Sequence, residues 1–176
     1  DIPSILHFKN MVKGVQAVYC DGTVCNVVEH QVLTNAELLA LDVDVLIPAA
    51  LENQITQDNV ADVKARFIFE VANGPIASGA DRILEQRGVH VFPDILVNAG
   101  GVTVSYFEWV QNRSGLYWTL EEVNRNLQQR MVQETERIWT IAQDLSISLR
   151  TAAYVHALNR LGEALDAKGT RDYYMK

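Results

Sequence analysis

The chain has 176 residues, 48% of them apolar and 21% charged, with 22 acidic against 15 basic side chains and a net charge of −7. That composition excludes an intrinsically disordered chain and suits a packed globular core. The acidic balance argues against nucleic acid or an anionic membrane as a partner, since both select basic surfaces. The most apolar window, Val45–Leu51, lies between Asp44 and Glu52 and is far shorter than the roughly 20 residues of a spanning helix, so no membrane segment is expected. Two cysteines, Cys20 and Cys25, are too few for a disulfide framework, and no leader pattern opens the chain. The expected setting is a reducing cytoplasm.

Asp1-Ile-Pro-Ser4 reads as a helix start, with Asp1 or Ser4 as cap and Pro3 in the first turn. The chain therefore reads as beginning part-way through a larger fold. Ile5, Leu6, Phe8, Met11 and Val12 predict a short amphipathic helix over residues 2–12. Residues 14–30 predict a hairpin or two separate short strands, with Asp21-Gly22 as the turn signal.

From residue 34 the pattern is regular. Thr34-Asn-Ala-Glu37 is a capping box opening a helix to about Leu41. Val43–Ile47 reads as a buried strand ended by Pro48, and Thr56 as the start of a helix to about Lys64. Arg66–Ala72 is a strand ended by Asn73-Gly74-Pro75. Ser78 is expected to cap a helix that stops at Gly88, and Val89–Phe92 is a strand ended by Pro93-Asp94. Alternating short strands and helices imply parallel pairing, and so half of a doubly wound α/β sheet.

The remainder reads as helical. Leu96 to about Gln111 is an apolar segment holding Gly100-Gly101. Thr119-Leu-Glu-Glu122 is a second capping box, opening a long helix with Leu120, Val123, Leu127, Met131, Ile138, Ile141 and Leu145 on one stripe. Ser148 starts a last helix that ends near Gly169.

Ligands of open α/β sheets bind beyond the carboxyl ends of the strands. Three such ends read Pro48-Ala-Ala-Leu-Glu-Asn53, Ala72-Asn-Gly-Pro75 and Pro93-Asp-Ile-Leu-Val-Asn-Ala-Gly-Gly101. Each carries small residues, which let a flat ligand reach the backbone, and an Asn, whose amide both donates and accepts. The competing explanation is that Gly and Asn merely make turns. Gly100-Gly101 costs about 1 kcal/mol per glycine if helical. That points to a loop or to close approach by a ligand or another backbone, against a helix start that needs tight packing. No two glycines stand at i and i+2, so neither a dinucleotide fingerprint nor a phosphate loop is present. His7, His30, His90 and His156 have no metal-ligand spacing, and no metal site is expected. Asp94 and Glu108, near the glycine pair, fit capping or surface roles better than acid-base chemistry.

Pro48-Ala-Ala-Leu-Glu-Asn-Gln-Ile55, Ala72-Asn-Gly-Pro75, the run from Pro93 through Val102-Thr-Val-Ser-Tyr-Phe-Glu-Trp109 to Asn112, and Arg150-Thr-Ala-Ala-Tyr154 together resemble the nucleotide-binding domain of glutamate dehydrogenases, in the Glu/Leu/Phe/Val dehydrogenase family. The resemblance covers roughly residues 33–168; residues 13–30 depart from it. It implies a Rossmann-like doubly wound sheet, incomplete at its N-terminal side, over residues 1–112, with a C-terminal helical segment over 113–176. It implies reversible NAD- or NADP-dependent oxidative deamination of L-glutamate to 2-oxoglutarate and ammonia, in a cytoplasmic homo-hexamer. By the same resemblance Ala49, Ala50, Asn53, Asn73 and Asn98 contact the coenzyme, and Gly101, Val102 and Ser105 the substrate, with Ser105 on its side-chain carboxylate. The catalytic Lys and Asp, the phosphate loop and the residue that chooses NAD or NADP belong to parts of the family pattern outside this chain, so the chain alone is expected to be inactive. Where the family often has Thr-Thr-Pro after Asn-Gly-Pro, this chain has Ile76-Ala77-Ser78. A leucine- or phenylalanine-type dehydrogenase, or a non-catalytic assembly domain, is the alternative.

Overall fold

The computed structural model describes residues 33–168 throughout, the strands at 18–21 and 24–27, and residues 3 and 6. Most of the helix expected over residues 2–12, together with His7, His30 and the tail from 169, lies outside the described residues. The chain divides into two units, residues 1–38 and 39–176.

In the first unit, β1 (Val18–Asp21) pairs antiparallel with β2 (Val24–Val27), which selects the hairpin over two separate strands. The register sets Cys20 opposite Cys25. The helix α1 (Asn35–Leu39) begins at the expected box: the Thr34 N–H donates to Glu37 Oε2 at 2.7 Å, and the Glu37 N–H donates to Thr34 Oγ1 at 3.3 Å. These exposed contacts hold the Glu37 carboxyl below the usual carboxylate range.

The second unit is built on three parallel strands in chain order: β3 (Val45–Leu46), β4 (Phe67–Phe69) and β5 (His90–Phe92). The register pairs Leu46 with Ile68 and Ile68 with Val91. The strands are shorter than their apolar runs. Past β3 and β4 the chain turns at Asn53 and Gly74, both with left-handed backbone near φ 52°. Asn and Gly are the residues that adopt this region at least cost. Ile55 and Ile76 form an isolated parallel bridge just beyond, so the two loops run side by side. Ile68, Ile55, Ala80 and Leu84 are fully buried in one cluster with Val60, Val63 and Leu39. Each large apolar side chain there contributes about 1.5–3 kcal/mol of transfer free energy.

The helix expected from Thr56 to Lys64 is not formed; only a 3-10 turn over Val60–Asp62 is present. Asn59 is the cause. Its Oδ1 accepts the Thr56 N–H at 2.8 Å and its Nδ2 donates to the Gln54 carbonyl at 2.9 Å. These bonds fold Asn59 back onto residues 54 and 56 as a local turn, an alternative to a continuing helix. Two backbone carbonyls here, Val60 O and Val63 O, accept from the Arg87 guanidinium at 2.5 and 2.6 Å.

The helix α2 (Ser78–Gln86) starts without a side-chain cap: Ala77 occupies the cap position and Ser78 is already helical, so Ser78 does not play the expected role. Its end matches expectation, with Gly88 at φ +73° and the Val89 N–H returning to the Leu84 carbonyl.

The apolar segment after β5 is two helices, α3 (Asp94–Val97) and α4 (Ala99–Ser114), broken at Asn98. Gly100 and Gly101 lie in the first turn of α4, so the loop expected there is helix. The long helix α5 (Leu120–Leu145) opens with a complete Thr119/Glu122 capping box, and α6 (Leu149–Ala167) opens at Ser148, whose hydroxyl accepts the Thr151 N–H. Leu96, Ile138, Ala142, Ala152 and Ala153 bury the contact among α3, α5 and α6. The apolar faces of α5 and α6 are not fully covered: Leu120, Leu145, Leu158 and Leu161 are all more than half exposed. No helix among the described residues is long and apolar enough to cross a membrane.

Candidate functional site

The carboxyl edge of the β3–β4–β5 sheet brings two of the expected chain ends together through backbone pairing and the third to them through the Asp94 and Asn98 side chains. The Pro48 carbonyl accepts from Val71 and Ala72 at 3.1 and 3.0 Å, and the Asn53 N–H donates to the Gly74 carbonyl at 2.8 Å. Ala49, Ala50 and Asn53 are exposed along this edge. Asn73 and Asn98, 25 residues apart, meet directly: Asn98 Nδ2 donates to Asn73 Oδ1 at 2.7 Å. One amide–amide bond leaves the pair one NH₂ group and one carbonyl oxygen for a partner, whichever way the two amides are turned. A primary carboxamide presents the same complement.

Gly101, Val102 and Ser105 occupy the first two turns of α4, all on exposed surface. Ser105 lies one turn after Gly101, and its Oγ donates to the Gly101 carbonyl at 3.1 Å. A Cβ on Gly101 would meet nothing within 4 Å, and one on Gly100 only Leu127 at 3.8 Å. The tight-packing explanation of this glycine pair therefore fails within the described residues. Gly101 leaves a bare stretch of helix backbone facing outward. Val102 faces elsewhere, into a hollow of about 490 Å³ between α4, α5 and α6 that is also lined by Tyr106, Ile138 and His156.

Glu134 stands in that hollow and gathers four cationic or titratable groups: His156 at 2.6 Å, Arg137 at 3.2 Å, and Arg130 and Arg160 at 3.4 Å. Burial works against its charge, but the His156 hydrogen bond and the arginines outweigh it and hold the Glu134 carboxyl below the usual carboxylate range. Among the described residues no group of three His, Cys, Asp or Glu side chains is placed to hold a metal ion.

The sheet edge is fastened by Glu70 and Asp81, which the sequence pattern did not single out, together with Asp94 and Arg150, which it did not pair with them. Glu70, directly after β4, is fully buried. Its Oε2 accepts the Asp94 N–H at 2.9 Å and pairs with Arg150 Nη2 at 2.8 Å. Arg150, from the first turn of α6, also forks onto Asp81 at 2.8 and 3.2 Å and reaches Asp94 at 3.4 Å. Asp94 in turn accepts the Gly74 N–H at 2.8 Å. Asp94 is thus a structural clamp between loops and not the cap of its helix, a position that Pro93 holds. The available signal was Glu70 itself: a charge inside an apolar run on a central strand needs a partner.

Burial pushes the Glu70 carboxyl above the usual carboxylate range, and Arg150 offsets this only in part; Asp94 and Asp81 compete for the same guanidinium. Its Oε1 is buried with no hydrogen-bond partner. For Arg150, burial disfavours the charge, but the bonds to Asp81 and Glu70 dominate and raise it further into its charged form. A carboxyl whose native value is raised contributes most stability below the ordinary carboxylate range and loses it as pH rises through the raised value. In thermal melts from about pH 4 to 7, the stability of the wild type relative to Glu70→Gln is therefore expected to fall steadily as pH rises. A difference independent of pH would contradict this assignment.

Similarity to known proteins follows the same regions. The chain is 64% identical over 174 residues to an NADP-specific glutamate dehydrogenase of Synechocystis sp., covering 99% of this chain and 41% of that protein. It is 48% identical over 148 residues to an NAD-specific glutamate dehydrogenase of Staphylococcus aureus, covering 84% and 36%. The hetero-hexameric glutamate dehydrogenase of Thermus thermophilus superposes with a TM-score of 0.82 at 28% identity, over 96% of this chain and 37% of that one. The chain spans about two fifths of the length of the curated relatives it matches. With long C-terminal helices following a short parallel sheet, the fold is the Rossmann-like α/β arrangement of these neighbours. The model of one family, described as Glutamate/Leucine/Phenylalanine/Valine dehydrogenase, matches residues 1–169. A match that runs through the strand ends, the Asn73–Asn98 pair and the Arg150 clamp leaves one conclusion, that the chain belongs to this family.

Proposed function

We propose that this chain supplies the coenzyme-facing edge of an NAD- or NADP-dependent glutamate dehydrogenase. The observation that carries the proposal is the exposed Asn73–Asn98 pair at the carboxyl edge of a parallel sheet, with one donor and one acceptor left over. That complement fits the carboxamide of a nicotinamide ring, and the small residues Ala49, Ala50 and Gly74 leave room for a flat ligand beside it. The coenzyme would supply hydride acceptance or donation; these residues would bind and orient it. On α4, the bare backbone at Gly101 and the Ser105 hydroxyl would take the amino acid, with Ser105 turning from the Gly101 carbonyl to the distal carboxylate.

The acid-base groups would come from elsewhere in the assembled enzyme, and the described residues taken alone would bind without turning over. The exposed apolar surface of α4 and α6, including Tyr106, Trp109, Leu158 and Leu161, supports this. Faces of that kind are covered in a working protein. A homo-hexamer is the proposed assembly; the hetero-hexameric neighbour supports an oligomer. A cytoplasmic setting belongs to the same proposal and rests on the two-cysteine composition.

The test is reductive amination by the full-length polypeptide that carries this chain, followed by nicotinamide absorbance with NADH and NADPH in parallel. Turnover is expected with 2-oxoglutarate and ammonia at a much higher kcat/KM than with 2-oxoisocaproate. Preference for the apolar acid would move the function to a leucine-type enzyme. Turnover of neither would favour an assembly domain.

A further inference from the structure

We infer that Arg150 is a positioning residue that sets the Asn73–Asn98 pair from a distance. The inference rests on the proposed role of Asn73 as a coenzyme contact. Arg150 touches neither Asn. It reaches them through Asp94, which stands between two loops: Asp94 Oδ2 accepts the N–H of Gly74, the residue after Asn73, at 2.8 Å, and Asp94 begins α3, whose far end is Asn98. Asp94 is itself held on two sides, by its own N–H on Glu70 Oε2 at 2.9 Å and by Arg150 Nη1 on its Oδ1 at 3.4 Å.

Three carboxylates converge on this one guanidinium, two of them on the sheet edge and one, Asp81, on α2. Only a planar fork with five donors serves three acceptors in fixed directions; an ammonium is a point charge that does not. Without the fork, Glu70 and Asp94 are two carboxylates sharing one buried neighbourhood. They separate or take up a proton, and either change shifts Asp94. The Gly74 turn and the start of α3 then move relative to one another. The span from Asn73 to Asn98 is the quantity that changes, and that span decides whether both amides reach one ligand. The C-terminal helix thereby controls a site it does not line.

The test is a double-mutant cycle in the full-length protein between Arg150→Gln and Asn73→Ala, two residues that do not touch. The readouts are the dissociation constant for NADPH or NADH, by fluorescence titration, and the thermal midpoint. Each single change is expected to weaken coenzyme binding about tenfold, and the double change to be within about threefold of either single, a coupling of the size seen for residues acting as one unit. The losses in thermal midpoint are expected to add, since Arg150 stabilises through Glu70 and Asp81 independently of Asn73. If Arg150→Gln does not fold, Arg150→Lys carries the same cycle, keeping charge while losing the fork. Binding weakened about a hundredfold in the double mutant, the product of independent effects, would overturn the positioning role, as would wild-type affinity in the Arg150 variant. Wild-type affinity in Asn73→Ala would instead overturn the coenzyme role of Asn73, and the proposed route with it.

Discussion

Gly101→Ala is expected to give a more stable protein and a much poorer enzyme. Gly101 has ordinary helical backbone in the first turn of α4, is exposed, and has open space where a Cβ would sit. Alanine in that position gains about 0.5–1 kcal/mol of helix stability, because glycine loses more backbone entropy on folding. A sequence shaped only by stability has no use for glycine here. If instead the bare backbone is where the substrate lies, the new methyl group stands in its place. A displacement of about 1 Å at a reacting centre costs on the order of 100-fold. The expected outcome is a raised thermal midpoint with kcat/KM for 2-oxoglutarate reduced about 100-fold. Unchanged turnover in a stabilised Gly101→Ala protein would mean that no ligand approaches this turn.

The second large effect is expected at Ser105. Its hydroxyl is exposed and, without a ligand, donates to the Gly101 carbonyl one turn earlier at 3.1 Å. That bond is easily exchanged, because the carbonyl already belongs to the helix ladder and the side chain is free to rotate. A hydrogen bond to a carboxylate is worth about 1.5–3 kcal/mol. Ser105→Ala is therefore expected to lower kcat/KM for 2-oxoglutarate about 10- to 100-fold and to leave the coenzyme dissociation constant where it was. The discriminating measurement is the ratio of kcat/KM for 2-oxoglutarate to that for 2-oxoisocaproate. A fall in this ratio ties Ser105 to the distal carboxylate. An equal fall for both acids would assign Ser105 to the shape of α4 alone.

Much of the architecture was legible because local chemistry and global fold agree. Thr34 with Glu37 and Thr119 with Glu122 start helices at their predicted places, since a reciprocal cap needs only residues three apart. The strands around Leu46, Ile68 and Val91 follow from apolar runs closed by turn residues. The failures occur where side chains compete with backbone or where partners are distant in sequence. Asn59 removes the helix after Thr56 by bonding Thr56 and Gln54, and no periodicity reveals which bond an Asn will choose. Ser78 looked like a cap, yet the chain became helical one residue sooner. Gly100-Gly101 read as a loop or a place of close approach, and only the loop is excluded by the helix, because helix propensity counts the cost of glycine but not what it leaves open.

The candidate site divides in the same way. Asn73 and Asn98 were legible as members of two strand ends, but their mutual hydrogen bond depends on Asn98 breaking α3 from α4. The clamp beneath them was not legible. Glu70 announced a need for a cation, yet this chain offers several arginines, and only the packing of α6 against the sheet selects Arg150, 80 residues later.

That separation has a consequence for the order of events during synthesis. The three strands pair in chain order, so the sheet is able to assemble as each strand leaves the ribosome. Its central strand, however, ends in a carboxylate destined for complete burial, and the guanidinium that accompanies it belongs to the last helix. Burying a lone carboxylate costs several kcal/mol. Until residue 150 emerges, the nascent sheet must keep Glu70 wet or protonated, with its carboxyl edge unfinished. A nascent chain cut off before the α6 helix would hold these three strands and still lack the clamp that fixes the edge where Asn73 and Asn98 meet.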